Sequence, residues 1–156
     1  MKDGLKLIGD VVIERRKKDG TVIDREEIKN LIVNSGKERV AKLIAEGVGT
    51  GLTGFSYLAL GTGTTAPVAT NTSLETEVTR ELATVGYATV GYEASYKATF
   101  EKTFDFGTGE SYSITEAGVG DSASATGDTL LDRFVFSAKS VDVDTDLYVK
   151  VTITVS

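Results

Sequence analysis

Residues 92–106 read Tyr92-Glu93-Ala94-Ser95-Tyr96-Lys97-Ala98-Thr99-Phe100-Glu101-Lys102-Thr103-Phe104-Asp105-Phe106. Aromatic and small residues, joined by Lys102, hold the even positions, while Glu, Ser, Lys, Thr and Asp hold the odd ones. Side chains of a strand alternate between its two faces, so this period of two predicts a strand with one buried and one wet side. Tyr92 and Tyr96 fall on the apolar face and are expected in the core. An antiparallel sheet with a single solvated face produces this pattern.

The end of the chain repeats it. Leu147, Val149, Val151, Ile153 and Val155 alternate with Tyr148, Lys150, Thr152 and Thr154. Residues 111–117 and 129–137 read as two further strands, joined by the Gly/Ser/Ala-rich loop 118–127. Residues 55–60 form a short apolar strand, followed by loop residues through Thr72. Thr72 with Glu75, and Leu74, Val78 and Leu82 at intervals of four, predict a short helix over 73–80.

Toward the N-terminus, residues 5–17 and 21–33 are rich in β-branched residues and flank the turn dipeptide Asp19-Gly20. That arrangement predicts a hairpin. Its many charges suit a ribbon projecting into water beyond the core. Ser35-Gly36-Lys37-Glu38 fits a capping box, and Val40, Leu43 and Ile44 then share one face, predicting a helix from about 36 to 46 with Gly47 as its terminator. The expected fold is mainly β: an antiparallel β-sandwich, jelly-roll or immunoglobulin-like, with an N-terminal β-hairpin and one or two short α-helices. One domain spans 1–156, made of a hairpin arm (1–34), a helix (35–47) and the sandwich (55–156).

Composition narrows the chemistry. The 156 residues, 40% hydrophobic and 26% charged, are globular in character and enough for one core. Without a single Cys or His, the chain lacks thiol nucleophiles, zinc–thiolate sites and the commonest neutral-pH base. No cofactor is expected. The net charge of −6 offers no general attraction to nucleic acid or anionic lipid, and no apolar run reaches membrane-spanning length. Neither nucleic acid nor membrane is therefore an expected partner, and the protein is expected to be soluble. Charge is also segregated: residues 1–46 hold 11 Lys/Arg against 9 Asp/Glu, and residues 47–156 hold 6 against 14.

Three motifs invite functional readings. Gly61-Thr62-Gly63-Thr64-Thr65-Ala66 matches a dinucleotide fingerprint after an apolar strand, but Pro67 and further loop separate it from any helix start that could meet a phosphate. A tight structural loop is the better reading. Asp142, Asp144 and Asp146 resemble the opening of a calcium loop, yet Leu147 and Ile153 stand where that loop needs Gly and Glu, so a solvated turn is expected. Glu116 and Asp121 flank Gly118-Val119-Gly120 as a conceivable carboxylate pair, with no Trp platform for a sugar.

The order of several segments is more informative. It runs from Asn30-Leu31-Ile32-Val33-Asn34-Ser35-Gly36, through a helix, to Leu58-Ala59-Leu60-Gly61-Thr62-Gly63-Thr64-Thr65-Ala66-Pro67 and Thr72-Ser73-Leu74-Glu75-Thr76-Glu77-Val78-Thr79-Arg80. Ile114-Thr115-Glu116-Ala117-Gly118-Val119 and Leu131-Asp132-Arg133-Phe134-Val135-Phe136 follow. The succession resembles a family of small structural proteins encoded by tailed bacteriophages and related proviruses, commonly labelled tail fibre or virion proteins. The resemblance implies a non-enzymatic protein located in the virion, partnered by capsid or tail proteins and forming a homo-oligomer such as a trimer. Capsid decoration or cement is slightly favoured, because no heptad or short repeat of a fibre shaft is present. A tail fibre or tail-tip component and a host glycan-binding module are the alternatives. Candidate partner-binding residues are Arg15, Arg16, Lys17 and Lys18 at the hairpin tip, as an arm toward a neighbouring subunit. Tyr148, on the wet face of the last strand, is a candidate glycan contact.

Overall fold

The computed structural model describes residues 6–46, 51–88 and 96–155. Ten strands and one helix follow in order: β1 (Leu7–Lys17), β2 (Val22–Lys29), β3 (Leu31–Ile32), α1 (Asn34–Glu46), β4 (Tyr57–Gly61), β5 (Glu77–Leu82), β6 (Thr84–Ala88), β7 (Tyr96–Phe104), β8 (Tyr112–Gly120), β9 (Leu130–Val141) and β10 (Thr145–Val155). The fold is mainly β. Two five-stranded antiparallel sheets have the orders β2-β1-β10-β7-β6 and β3-β9-β8-β4-β5. One apolar cluster joins their inner faces, with Val11, Ile13, Phe100, Phe104, Val149 and Val151 from the first sheet and Leu58, Leu60, Ile114, Ala117, Val119 and Phe134 from the second.

Alternation in β10 appears as expected: Leu147, Val149, Val151 and Ile153 are buried, and the residues between them are partly exposed. In β7 the pattern holds at Phe100 and Phe104, and Phe106 beyond its end is buried as well. Tyr96 departs from it. At the first position of β7 it is 68% exposed, beyond the reach of the core, and Tyr92 lies outside the described residues.

The hairpin forms, with Gly20 at φ 88° in its turn and its N–H donating to Lys17 O at 2.9 Å. It does not stand off as an arm. β1 pairs with β10 over its whole length, from Leu7↔Val155 to Lys17↔Thr145, and buries Val11 and Ile13. The hairpin therefore supplies two strands of the first sheet. Its charges face across the sheet to one another, which is why a charged ribbon can still be structural.

The helix starts at Asn34, and Ser35 is not its cap. The Ser35 hydroxyl donates instead to Leu130 O at 3.0 Å, and Glu38 pairs with Lys42 at 2.7 Å. Gly36 lies directly against the backbone of Leu131, where any Cβ would collide, so α1 sits close on β9. This contact helps to bury β9 on both faces from Leu130 to Phe134.

No helix forms over 73–80. Glu77–Leu82 is a strand paired with β4, from Tyr57↔Leu82 to Gly61↔Glu77. The fourfold spacing was misleading because its members have different environments: Leu74 is buried in the loop, whereas Leu82 is 60% exposed. The N–H groups of Glu75 and Thr76, which a helix start would leave open, are taken by a distant carboxylate.

Candidate functional site

A register shift in β8 between Ile114 and Glu116 reverses which face its side chains take. Ile114 points into the core; after the shift, Ala117 and Val119 do so, and Glu116 turns to the opposite side of the sheet. The loop of residues 62–76 covers it there, so Glu116 is completely buried. Its carboxylate accepts hydrogen bonds from Gly63 N (3.0 Å), Glu75 N (3.0 Å), Thr76 N (2.7 Å) and Arg133 Nε (2.8 Å). Four donors compensate the loss of water around one buried charge.

Arg133 comes from β9 and is 2% exposed. Beyond Glu116, its guanidinium donates to Asn71 Oδ1 (3.2 Å) and reaches Glu75 Oε2 (3.4 Å). The Thr65 N–H and hydroxyl each donate to Glu75 at 2.9 Å and hold its carboxyl below the usual carboxylate range. Thr115 Oγ1 donates to Gly63 O at 2.8 Å. Residues 62–76 are thus tied to one buried ion pair at several points.

The Gly61-Thr62-Gly63 signature acquires its physical reason here. A Cβ on either glycine would lie 2.5 Å from Glu116 Oε1. The glycines let a carboxylate approach the backbone, and the anion received by the Gly63 N–H belongs to the protein itself. A phosphate has no place at that position.

Above Arg133 a polar cavity of about 420 Å³ is lined by Thr65, Thr70, Asn71, Ser73 and Glu75. Proton transfer is not favoured in it. Glu116 is saturated with donors, and Glu75, the carboxylate beside the Thr65 hydroxyl, is a weakened base because its ionised form is stabilised. The node's capacity is to hold strands and loop together.

A second set of ion pairs closes the loop 121–129. Arg80 pairs with Asp128 at 2.8 Å and with Glu77 at 2.9 Å; Arg39 pairs with Asp121 at 2.8 Å. Asp128 accepts from the N–H of Asp121 and of Ser122, and burial still pushes its carboxyl above the usual range. Glu116 and Asp121 accordingly serve different arginines and do not form a carboxylate pair. Asp142 closes a turn with Thr145, while Asp146 faces Lys18. Among the described residues, no three His, Cys, Asp or Glu side chains gather as metal ligands.

Three of the four hairpin-tip side chains are engaged within the chain. Arg15 pairs with Asp24 at 2.8 Å, and Lys18 meets both Asp105 and Asp146. Arg16 pairs with Glu14 and lies over the Tyr148 ring, 3.9 Å from its centroid. Lys17 is exposed. Tyr148, expected on the wet face as a glycan contact, is clamped: its hydroxyl donates to Glu101 at 2.7 Å, and burial together with that carboxylate raises its pKa to about 12.

Sequence reading overlooked Asn30, Asp132 and Lys139. Asp132 is completely buried, accepts from Val119 N at 2.8 Å and from the Asn30 carboxamide, and is pushed to about 7, chiefly by desolvation. Asn30 Oδ1 is buried without a partner. Lys139 joins Asp24 and Glu26, each at 3.1 Å, linking β9 to β2 of the other sheet. The available signal was the adjacent Asp132-Arg133 inside the apolar run Leu130–Phe136, because charges placed there have to be paired or neutralised.

No protein-family model, curated protein or solved structure matches this chain.

Proposed function

We propose that the protein is a non-enzymatic structural subunit of a tailed phage particle, assembling on the virion exterior through protein–protein contacts, with capsid decoration or cement favoured over a tail-fibre or tail-tip role. One observation carries this reading. Gly61, Gly63, Glu75, Glu116 and Arg133, drawn from four of the segments that resemble phage structural proteins, converge on one buried node. The resembling segments thus specify a loop clamped on a sheet, which serves a scaffold better than a reaction.

Ionic links across the sheets support the same role: Glu81–Lys102 at 2.6 Å joins β5 to β7, and Lys139–Asp24 joins β9 to β2. Both pairs connect one sheet to the other. Antibody labelling of particles from the strain that encodes the protein, with capsids separated from tails, tests the proposal. Label on capsids is expected; label on tails selects the fibre alternative, and absence from both refutes a virion role.

A further inference from the structure

Four strands border the two sheets: β2 and β6 in one, β3 and β5 in the other. A border strand presents unpaired N–H and C=O groups, and proteins guard such edges with charge, brevity or cover. β2 carries Asp24, Arg25, Glu26, Glu27 and Lys29, and β5 carries Glu77, Arg80 and Glu81. β3 is two residues long and α1 begins two residues beyond it. Among the described residues β6 has none of these guards. Its five residues, Thr84-Val85-Gly86-Tyr87-Ala88, include no charge and no proline, and its pairing with β7 runs without a register shift. Among the described residues no strand lies on its outer side. Thr84 is exposed, Val85 is 38% exposed, and Leu82 just before them is 60% exposed.

We propose that β6 is a self-association edge, pairing antiparallel with β6 of a second copy of this chain across a two-fold axis at Gly86. Charge selects the occupant and the direction. Two copies at −6 each repel, so their contact belongs on an uncharged edge, and β6 is the one border strand of useful length that is uncharged. Within the subunit, Thr84 is opposite Glu101 of β7 and Ala88 is opposite Lys97. Antiparallel pairing about Gly86 sets Thr84 against the second copy's Ala88. Each Glu101 then lies in line with a Lys97 of the other copy, three strand spacings or about 14 Å away. Parallel pairing would align Glu101 with Glu101 and Lys97 with Lys97. At that distance salt largely screens the attraction, so it orients the pair, while main-chain hydrogen bonds between the two edges hold it.

The product is a continuous ten-stranded sheet with closed two-fold symmetry. Five paired residues, about 17 Å of strand, bury far less than the roughly 1,200–2,000 Å² of a stable complex, so dissociation in the micromolar range or weaker is expected. Such a contact becomes populated at high local concentration. It is a property of the isolated protein and stands apart from the virion reading, since purified protein is sufficient to test it.

Sedimentation equilibrium from low micromolar to millimolar concentration should show a monomer passing to a dimer. Amide exchange over residues 84–88 should slow as concentration rises. Thr84→Lys and Val85→Lys should each raise the dimer Kd at least about tenfold, whereas Ile23→Lys on the guarded edge β2, with the same change in net charge, should leave it unchanged. Thr84 is exposed, so the first variant retains the fold if the second does not. A monomer at every concentration overturns the proposal, as does concentration-dependent protection on another strand instead of β6, or equal weakening by Ile23→Lys.

Discussion

Asp132→Asn should change how stability depends on pH. Asp132 is fully buried; two neutral groups, the Val119 N–H and the Asn30 carboxamide, donate to it, and among the described residues no cation pairs with it. Its folded pKa of about 7 stands above the ordinary aspartate value near 3.9. Between those values the unfolded chain is ionised at this site while the folded protein keeps the proton. The folded state therefore binds more protons, and stability falls as pH rises, by about 1.4 kcal/mol per unit. The contribution is fully favourable below the unfolded pKa and is lost by about pH 7, a total of roughly 4 kcal/mol over about three units.

Asparagine does not titrate, and its carbonyl can still accept from Val119 N–H. The Asn30 carboxamide can turn its unpartnered oxygen toward the new amide. Urea unfolding of both proteins from about pH 5 to about pH 8 measures the difference. The variant should gain on the parent by roughly 3 kcal/mol over that range, nearly all of it below about pH 7. Carboxyls with lowered pKa, such as Glu14, Asp24 and Glu75, act with the opposite sign, but equally in both proteins. Parallel stability curves would refute the reasoning and show that Asp132 is ionised in the folded protein.

Arg133→Met should destabilise by about 3–5 kcal/mol in chemical denaturation, because Glu116 is left buried without its cation. Phe100→Ala and Val151→Ala should each cost about 3 kcal/mol, against less than about 1 kcal/mol for Thr99→Ala and Thr152→Ala; equal losses on both faces would contradict the assigned layers. Deleting residues 1–33 should abolish cooperative thermal unfolding, since it strips β1 from β10 and removes Val11 and Ile13 from the core; a folded remainder would restore the separable arm.

What could be read from sequence was what is local in the chain. Alternation along β10 and much of β7 identifies their faces, because the pleat imposes a period of two whichever strand lies beside them. Asp19-Gly20 marks the hairpin turn because positive φ is a property of one residue. The helix was likewise visible from its own apolar residues, although of the expected face Val40 packs on the core while Ile44 is 71% exposed.

The strands near 55–60, 111–117 and 129–137 were legible in the same way, but how the elements pair depended on partners remote in sequence. Residues 77–82 became a strand because β4, some twenty positions earlier, received their hydrogen bonds. Glu116 gathers donors from positions 63, 75, 76 and 133, and the register shift that turns it outward appears in no residue pattern. The charged hairpin belongs to the sheet because β10, more than 120 residues away, pairs along all of β1. Charge is compatible with either an exposed arm or a paired sheet, and the choice depends on where the opposite charges and the neighbouring strand lie in space. Tertiary structure alone decided that.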